Sequence, residues 1–126
     1  MTRNAAISLT EKLSKFDDLW SPRIIAELNG QQVKLAKLEG EFCWHSHADE
    51  DELFLVVEGE LTIQIKTESG IEDVELRVGD LYVVPRGVEH NPIARNSASV
   101  MLFEPASTKH TGEIEHERTR HDQPWI

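Results

Sequence analysis

The sequence of 126 residues has only one cysteine, Cys43, and no apolar run of the roughly 18 residues that a membrane-spanning helix needs. A single cysteine cannot form a disulfide within the chain, which agrees with a reducing compartment. Residues 1–16 contain no apolar run of signal-peptide length. We therefore expect a cytoplasmic protein that does not enter a membrane.

Basic residues are also scarce. The chain carries 13 Lys and Arg residues against 23 Asp and Glu residues, which gives a formal charge of −10 at pH 7. Such a charge repels phosphate backbones and anionic lipid surfaces, and no basic cluster offsets it. The composition therefore argues against nucleic acid and membranes as partners. The length suits a single domain, residues 1–126.

The first part of the chain predicts a short helix. Ser8 is followed three residues later by Glu11, which is the form of a capping box, and Leu9, Leu13 and Phe16 recur at helical spacing. We expect a helix over about residues 8–16.

From Arg23 onward, short apolar runs alternate with turn residues, a pattern typical of an all-β sandwich or barrel. Asn29-Gly30 predicts a hairpin with a type I′ turn, and Glu58-Gly59-Glu60 predicts another reversal. We expect about eight strands in a barrel core over about residues 23–105. The tail, residues 106–126, is charged and irregular, which predicts a segment that is either mobile or laid across the barrel, and Trp125 near its end favours some docking.

Two histidines, His45 and His47, stand two residues apart, which on an extended strand places both imidazoles on one face. Residues 48–51 are typical of a loop that resets the register, so that Glu52 faces inward at the start of the next strand. His90 completes a set of three imidazoles and one carboxylate. This set suits one divalent transition metal, Fe, Mn, Ni, Cu, Co or Zn, and does not choose among them.

Such a site is potentially catalytic, because an ion that prefers octahedral coordination keeps open positions for water or substrate beside four protein ligands. Phe54 and Val56 share the strand parity of Glu52 and are expected to fill the barrel beneath the site. This filling suggests a compact substrate.

The residues around these ligands resemble the two sequence motifs of the cupin superfamily, and in particular its small single-domain members. The first motif is matched by residues 40–47, then Glu52 and Gly59, and the second by Gly79, Pro85, Gly87 and His90. The resemblance runs from about Val33 to Pro105. It implies a double-stranded β-helix, or jelly-roll, fold and a metal site formed by His45, His47, Glu52 and His90.

Phe42 and Trp44 have the strand parity opposite to that of His45, so an inward His45 places both aromatic side chains on the outer face of the sheet. The amino-terminal helix, the tail or a second subunit could cover them. We expect a homodimer, and the family resemblance points the same way. Cys43 shares the parity of His45 and is expected as a small buried side chain near the metal.

Tyr82 and Arg86 stand shortly before His90 and are possible substrate contacts, although strand tyrosines and turn arginines are common for structural reasons. Residues 49–51 are interpreted as a solvated acidic loop. The remaining histidines, interpreted as surface residues, are His110, His116 and His121.

The sequence favours a metal-dependent enzyme that binds a small polar metabolite as its ligand, of isomerase or dioxygenase type. No general base stands plainly beside the metal ligands, so the reaction type and the catalytic residues stay open. The alternative is a non-catalytic module that binds a small molecule or a metal. A barrel that retains the motifs without using them is the third hypothesis.

Overall fold

A computed structural model describes residues 5–106 and 123–126 of the chain. The described part contains one short helix and six strands. Their bounds are α1 Leu9–Leu13, β1 Arg23–Leu28, β2 Gln31–Glu41, β3 Glu52–Thr67, β4 Gly70–Arg77, β5 Leu81–Val84 and β6 His90–Pro105.

All strand pairs are antiparallel, in the order β1-β2-β6-β3-β4, with β5 added to β3. The two 16-residue strands β3 and β6 lie at the centre and pair along most of their length, from Leu53 with Phe103 to Ile65 with His90. The all-β jelly-roll fold predicted from the sequence is confirmed. The His45 segment closes onto this pair through an isolated bridge to His90.

The strand count is lower than predicted because β3 does not reverse at Glu58-Gly59-Glu60. Instead, the pairing of β3 with β6 shifts register on both sides of this point, as in a β-bulge. Gly59 has φ 78°, and a Cβ built there would lie 2.1 Å from the Ser97 carbonyl oxygen. The glycine therefore marks a close approach of two strands and not a turn.

The predicted hairpin at Asn29-Gly30 is confirmed, because β1 ends at Leu28 and β2 begins at Gln31. Both turn residues have positive φ, 50° at Asn29 and 76° at Gly30, as a type I′ turn requires.

The main hydrophobic core lies inside the barrel and includes the alternating residues Leu61, Ile63 and Ile65. Phe54 and Val56, predicted to lie beneath the site, belong to the same core and are buried. A second cluster lies where the helix meets the sheet, and it consists of Leu13, Phe16, Ile25 and Leu35.

The helix begins as predicted, with the Ser8 hydroxyl oxygen accepting a hydrogen bond from the Glu11 N–H at 3.1 Å. It ends earlier than residue 16. The Ser14 N–H bonds the carbonyl oxygens of both Thr10 and Glu11, and the Ser14 hydroxyl also donates to the Glu11 carbonyl at 2.6 Å. These bonds tighten the last turn and close the helix after Leu13.

The last residues of the chain dock beside β1, mainly through the backbone. The Ile24 N–H donates to the Pro124 carbonyl, and the Ile126 N–H donates to the Ile24 carbonyl. The Lys12 ammonium also donates to the Ile126 carbonyl at 2.6 Å. The predicted docking near Trp125 is therefore present, although the Trp125 side chain stays half exposed. No helix in the described ranges is long and apolar enough to cross a membrane.

Candidate metal centre

His45 and His90 come from distant parts of the chain and are locked together by their backbones. They exchange two hydrogen bonds, of 3.0 and 2.9 Å, in an isolated antiparallel bridge. Each ring is then oriented by Nδ1, which lies 2.9 Å from the carbonyl oxygen two residues earlier, Cys43 for His45 and Val88 for His90. Because Nδ1 donates to that carbonyl, Nε2 is the nitrogen whose lone pair remains for a metal.

Glu52 is the first residue of β3 and points into the same space. Its Oε1 lies 3.4 Å from His47 Nε2 and 3.7 Å from His90 Nε2. The His47 backbone is held in turn by the Gly87 N–H, which donates to the His47 carbonyl at 2.7 Å. The loop before β3 and the turn before β6 thus converge on one point.

The structure brings all four predicted ligands together. One possible ligand atom from each of His45, His47, Glu52 and His90 lies within 4.8 Å of the others, and all four residues are buried.

The donor set suits a divalent transition metal, since it combines three imidazoles with one carboxylate. His90 Nε2 is buried, and within the described residues it has no hydrogen-bond partner. A buried polar atom is costly when unsatisfied, and a metal bond would satisfy it. The residues present therefore fit a metal ion.

The electrostatics favour the protonation states that a metal needs. Burial, reinforced by the neighbouring His90, lowers the pKa of His45 to about 3, so the imidazole is neutral near pH 7. Burial alone would raise the pKa of Glu52, but the neighbouring polar groups of Glu104, His47 and His90 outweigh it and hold the pKa well below its ordinary value. The centre thus presents an ionised Glu52 carboxylate beside the neutral His45 ring.

Behind Glu52 lies an ion pair that the sequence analysis missed. The Lys34 ammonium donates to Glu104 Oε1 at 2.9 Å, and both side chains are fully buried. The other carboxyl oxygen of Glu104, Oε2, is buried and has no hydrogen-bond partner among the described residues. Burial and the adjacent Glu52 carboxylate raise the pKa of Glu104 well above its ordinary value, and the Lys34 ammonium opposes this shift.

A signal for this pair was present in the strand parity. Lys34 has the parity of the buried Ala36 and Leu38 on β2, and Glu104 has that of the buried Leu102 on β6. A charged residue at an inward position of a strand calls for a buried partner of opposite charge.

Tyr82 and Arg86 do not line the cavity that reaches His45 and Glu52. Tyr82 is half-buried on β5 and packs against the main core. The exposed Arg86 lies 3.4 Å from the Asp51 carboxylate, and its backbone N–H donates to the same Asp51 oxygen at 2.8 Å. The backbone hydrogen bond from Arg86 is the largest cause that lowers the pKa of Asp51, and the Arg86 side chain adds to it. Asp51 thus ties the acidic loop to the turn before His90.

A cavity, called the apolar cavity below, adjoins the centre. Phe42 lines this cavity, so the prediction that it lies on the outer face of the sheet is wrong. Phe42 is buried and stacks on Trp20 with ring centroids 4.6 Å apart, because β2 ends at Glu41 and strand parity does not continue from His45 back to Phe42. Trp44 is half-buried with the Lys66 ammonium over its ring. The lining consists of Trp20, Pro22, Ala36, Leu38, Phe42, His45, Glu52, Phe54, Pro92, Val100 and Leu102.

Cys43 is half-buried against the core, and its Sγ lies 4.0 Å from His45 Nδ1. Its carbonyl orients the His45 ring, so its contribution to the centre comes from the backbone. The remaining predicted surface histidines lie outside the described residues; they are His110, His116 and His121.

Comparison with protein families matches residues 31–104 to the cupin domain. The chain is 44% identical over 66 residues to YdbB, an uncharacterized protein of Bacillus subtilis, and the match covers 52% of this chain and 56% of that protein. The chain therefore spans little more than half the length of this curated relative.

Among solved structures, a cupin-2 domain containing protein from Shewanella frigidimarina is 47% identical with a TM-score of 0.74, over 79% of this chain and 93% of that chain. A protein from Neisseria meningitidis is 32% identical with a TM-score of 0.71, and the match covers 81% of this chain and 100% of that chain. The hydroquinone 1,2-dioxygenase PnpCD in complex with Fe3+ is 20% identical with a TM-score of 0.72, and the match covers 83% of this chain and 33% of that chain. At this identity the likeness shows the fold alone.

Proposed function

The chain belongs to the cupin domain family, and on that premise we propose that it is a metal-dependent enzyme whose ligands are His45, His47, Glu52 and His90. The observation that carries the proposal is the convergence of these four buried side chains within 4.8 Å. Three imidazoles and a carboxylate hold divalent transition metals and leave coordination positions open. When bound, the metal would supply Lewis-acid or oxygen-binding chemistry.

The protein side of this function is positioning. The carbonyl oxygens of Cys43 and Val88 orient two of the imidazoles, and the buried Lys34–Glu104 pair adjoins Glu52. Partners of this kind around metal ligands raise metal affinity by fixing each ligand's orientation. The apolar cavity presents a mostly apolar lining to one side of the centre.

We propose an oxygen-dependent reaction in preference to an isomerisation. The described lining of the apolar cavity contains no acid or base apart from His45 and Glu52, which are both assigned to the metal. An isomerase that moves protons requires a separate general base. A dioxygenase of this fold has been crystallised with Fe3+, which makes iron the first metal to test.

The test begins with the untagged protein purified without chelators, with the metal content per chain measured by elemental analysis. The protein is then reconstituted under nitrogen with Fe2+, Mn2+, Ni2+ or Zn2+, and oxygen uptake is followed with a panel of small phenols. Uptake that depends on substrate, stops on chelation and returns with one metal supports the proposal. Ligand-dependent thermal stabilisation without product would indicate the non-catalytic binding module. Failure to retain any metal after reconstitution would overturn the metal centre.

The predicted homodimer stays a prediction, and its original reason no longer applies to Phe42, which Trp20 covers. A different surface now supports it, since the residues Leu81 and Val83 on β5 are 57% and 42% exposed. Light scattering on the untagged chain, measured as a function of concentration, would give the mass of the species in solution.

A further inference from the structure

We propose that Trp20 is the gate of the metal centre, and that residues 19–22 move away from the barrel to admit the metal ion and any ligand larger than water. This inference rests on the proposed metal centre and goes beyond it, because it names the residue that controls access. The structure shows the gate closed.

The four candidate ligands are closed off from solvent. Their exposed fractions are 3% for His45, 2% for His47, 2% for Glu52 and 0% for His90. The apolar cavity beside them encloses about 30 Å³, which is room for about one or two water molecules. A metal ion, or a ligand that binds such an ion, therefore reaches the centre only when part of the wall moves.

Most of the wall of the apolar cavity belongs to paired strands. Two lining residues lie on β2, two on β3 and three on β6. Both β2 and β3 pair with β6 along most of their length. Displacing any of these strands would break a ladder of hydrogen bonds, so this part of the wall stays in place while the protein is folded.

Phe42 and His45 also line the cavity, and the backbone ties both of them to β6. The Phe42 N–H donates to the Pro92 carbonyl at 3.0 Å, and His45 exchanges two backbone hydrogen bonds with His90. Movement of this segment would take two candidate ligands apart. It cannot be the way into a centre that it holds together.

Trp20 and Pro22 complete the lining, and they belong to residues 14–22, which lie between α1 and β1 and form neither helix nor strand. These residues contact β2 through an isolated bridge between Leu19 and Lys37. Releasing an isolated bridge breaks fewer hydrogen bonds than separating two paired strands. Among the described parts of the lining, this is the wall that can open locally.

The Trp20 side chain is the part of this wall that closes the cavity. It is 3% exposed and stacks on Phe42, with ring centroids 4.6 Å apart. Phe42 in turn meets the His45 ring edge-on, with centroids 5.4 Å apart. Trp20 is therefore one aromatic ring away from a candidate ligand, and its departure would open the cavity on the side of Phe42.

The closed position strains the Trp20 backbone. Its φ is 56°, in the left-handed region, which costs free energy for a bulky side chain. Two hydrogen bonds hold it there, from its backbone N–H to the Lys37 carbonyl at 2.8 Å and from Nε1 to the Glu39 carbonyl at 3.0 Å. Opening breaks these bonds but relieves the strain, so the strain lowers the free energy of opening.

Fixed points on both sides keep the movement local. On one side, Phe16 is buried in the cluster where the helix meets the sheet. On the other, the backbone N–H and carbonyl of Ile24 are bonded to Pro124 and Ile126. Residues 19–22 lie between these points and can move without unfolding α1 or β1.

Hydrogen exchange, followed by NMR on the metal-free full chain, tests the opening. The backbone N–H groups of Trp20 and Phe42 form a matched pair, because both residues are buried and each N–H donates to a strand carbonyl, at 2.8 and 3.0 Å. After correction for intrinsic rates, we expect the Trp20 N–H to exchange at least about tenfold faster. Equal or slower exchange at Trp20 would overturn the gate.

Metal transfer tests the effect on access. The full chain loaded with Zn2+ is mixed with an excess of a chromophoric chelator, and the uptake of Zn2+ by the metal-free chain is followed separately. Trp20→Ala should speed both release and uptake at least about tenfold and leave the affinity unchanged, because a gate changes the rates in both directions. Faster release with unchanged uptake would mean a weakened site and would overturn the gate.

Trp125→Ala is the matched control, since it removes an indole from a residue that is 50% exposed and outside the described lining. It should release and take up Zn2+ at the native rates. Equal rates in Trp125→Ala and Trp20→Ala would also overturn the gate. If Trp20→Ala does not fold, Trp20→Phe is used, which loses the bond to the Glu39 carbonyl and should speed both rates by a smaller factor.

The two proposals fail in different ways. Retained metal combined with native transfer rates in Trp20→Ala would overturn the gate and leave the proposed centre intact. Loss of all metal after reconstitution would overturn the centre, whereas hydrogen exchange at Trp20 in the metal-free chain decides the opening without any metal.

Discussion

His45 and His90 donate backbone hydrogen bonds to each other, at 3.0 and 2.9 Å, and their rings lie with centroids 4.3 Å apart. This pairing joins the segment after β2 to the first residue of β6. Neither ring therefore holds its position without the other segment. The centre is a product of the closed barrel, so metal binding and folding should be linked.

Glu52→Gln tests the carboxylate ligand. The amide keeps the shape of the side chain but removes its charge, so we expect metal affinity to fall at least about tenfold. Competition with a chromophoric chelator measures this affinity. Glu50→Gln makes the same chemical change in the acidic loop, outside the ligand cluster, and should retain native affinity. Equal metal affinity in the two variants would remove Glu52 from the site.

The low pKa of His45 predicts that the metal-free protein loses stability in mild acid. In the unfolded chain the imidazole takes up a proton near pH 6.5, whereas in the folded chain it does so only near pH 3. The unfolded state therefore binds more protons between these values, and the free energy of unfolding falls as pH drops, by up to about 1.4 kcal/mol per pH unit. Urea unfolding of the metal-free chain between pH 7 and pH 5 measures it.

The matched variant for this titration is His45→Gln, which lacks the ionisable ring. The native chain should lose more stability than the variant as pH falls. The comparison is necessary because Glu104, with its raised pKa, changes stability in the opposite sense over part of this range. Parallel pH dependence in the two proteins would mean that His45 is not protected from protonation by folding.

The candidate ligands were predictable from the sequence because alternation along a strand and the spacing of two motifs are local properties. His45 and His47 needed only the two-residue strand repeat, and Glu52 needed a loop that resets it. Phe42 was misplaced by the same rule, since the chain leaves β2 at Glu41 and parity is lost. Trp20 was missed because its position depends on contacts with distant residues and on an uncommon φ.

Lys34→Met tests the buried pair behind the centre. It leaves Glu104 buried without its cation, so we expect a loss of about 3 to 5 kcal/mol in the free energy of unfolding. The double variant Lys34→Met/Glu104→Leu should regain much of this loss, because no charge is left unpaired. Its metal affinity should nevertheless stay about tenfold or more below native, because Glu52 has lost the neighbouring carboxyl that helps to hold its pKa low.

An exposed pair provides the control for the buried one. Lys66 and Glu89 lie 3.0 Å apart with about half of each side chain exposed. Lys66→Met should change the free energy of unfolding by about 1 kcal/mol or less. Native metal affinity in the Lys34/Glu104 double variant would show that the pair supports the fold alone and does not position Glu52.

Gly59→Ala and Gly30→Ala form a matched pair, because both glycines have nearly the same positive φ, 78° and 76°. At Gly30 nothing lies within 4 Å of an added Cβ, so alanine there should lose only the roughly 1–2 kcal/mol of a left-handed backbone. At Gly59 the Cβ would meet the Ser97 carbonyl oxygen and force β3 away from β6. Gly59→Ala should therefore lose about 1–3 kcal/mol more unfolding free energy than Gly30→Ala. Urea unfolding of both variants at pH 7 measures the difference. Equal losses would mean that the strands can separate at the bulge, and that Gly59 is needed for its φ alone.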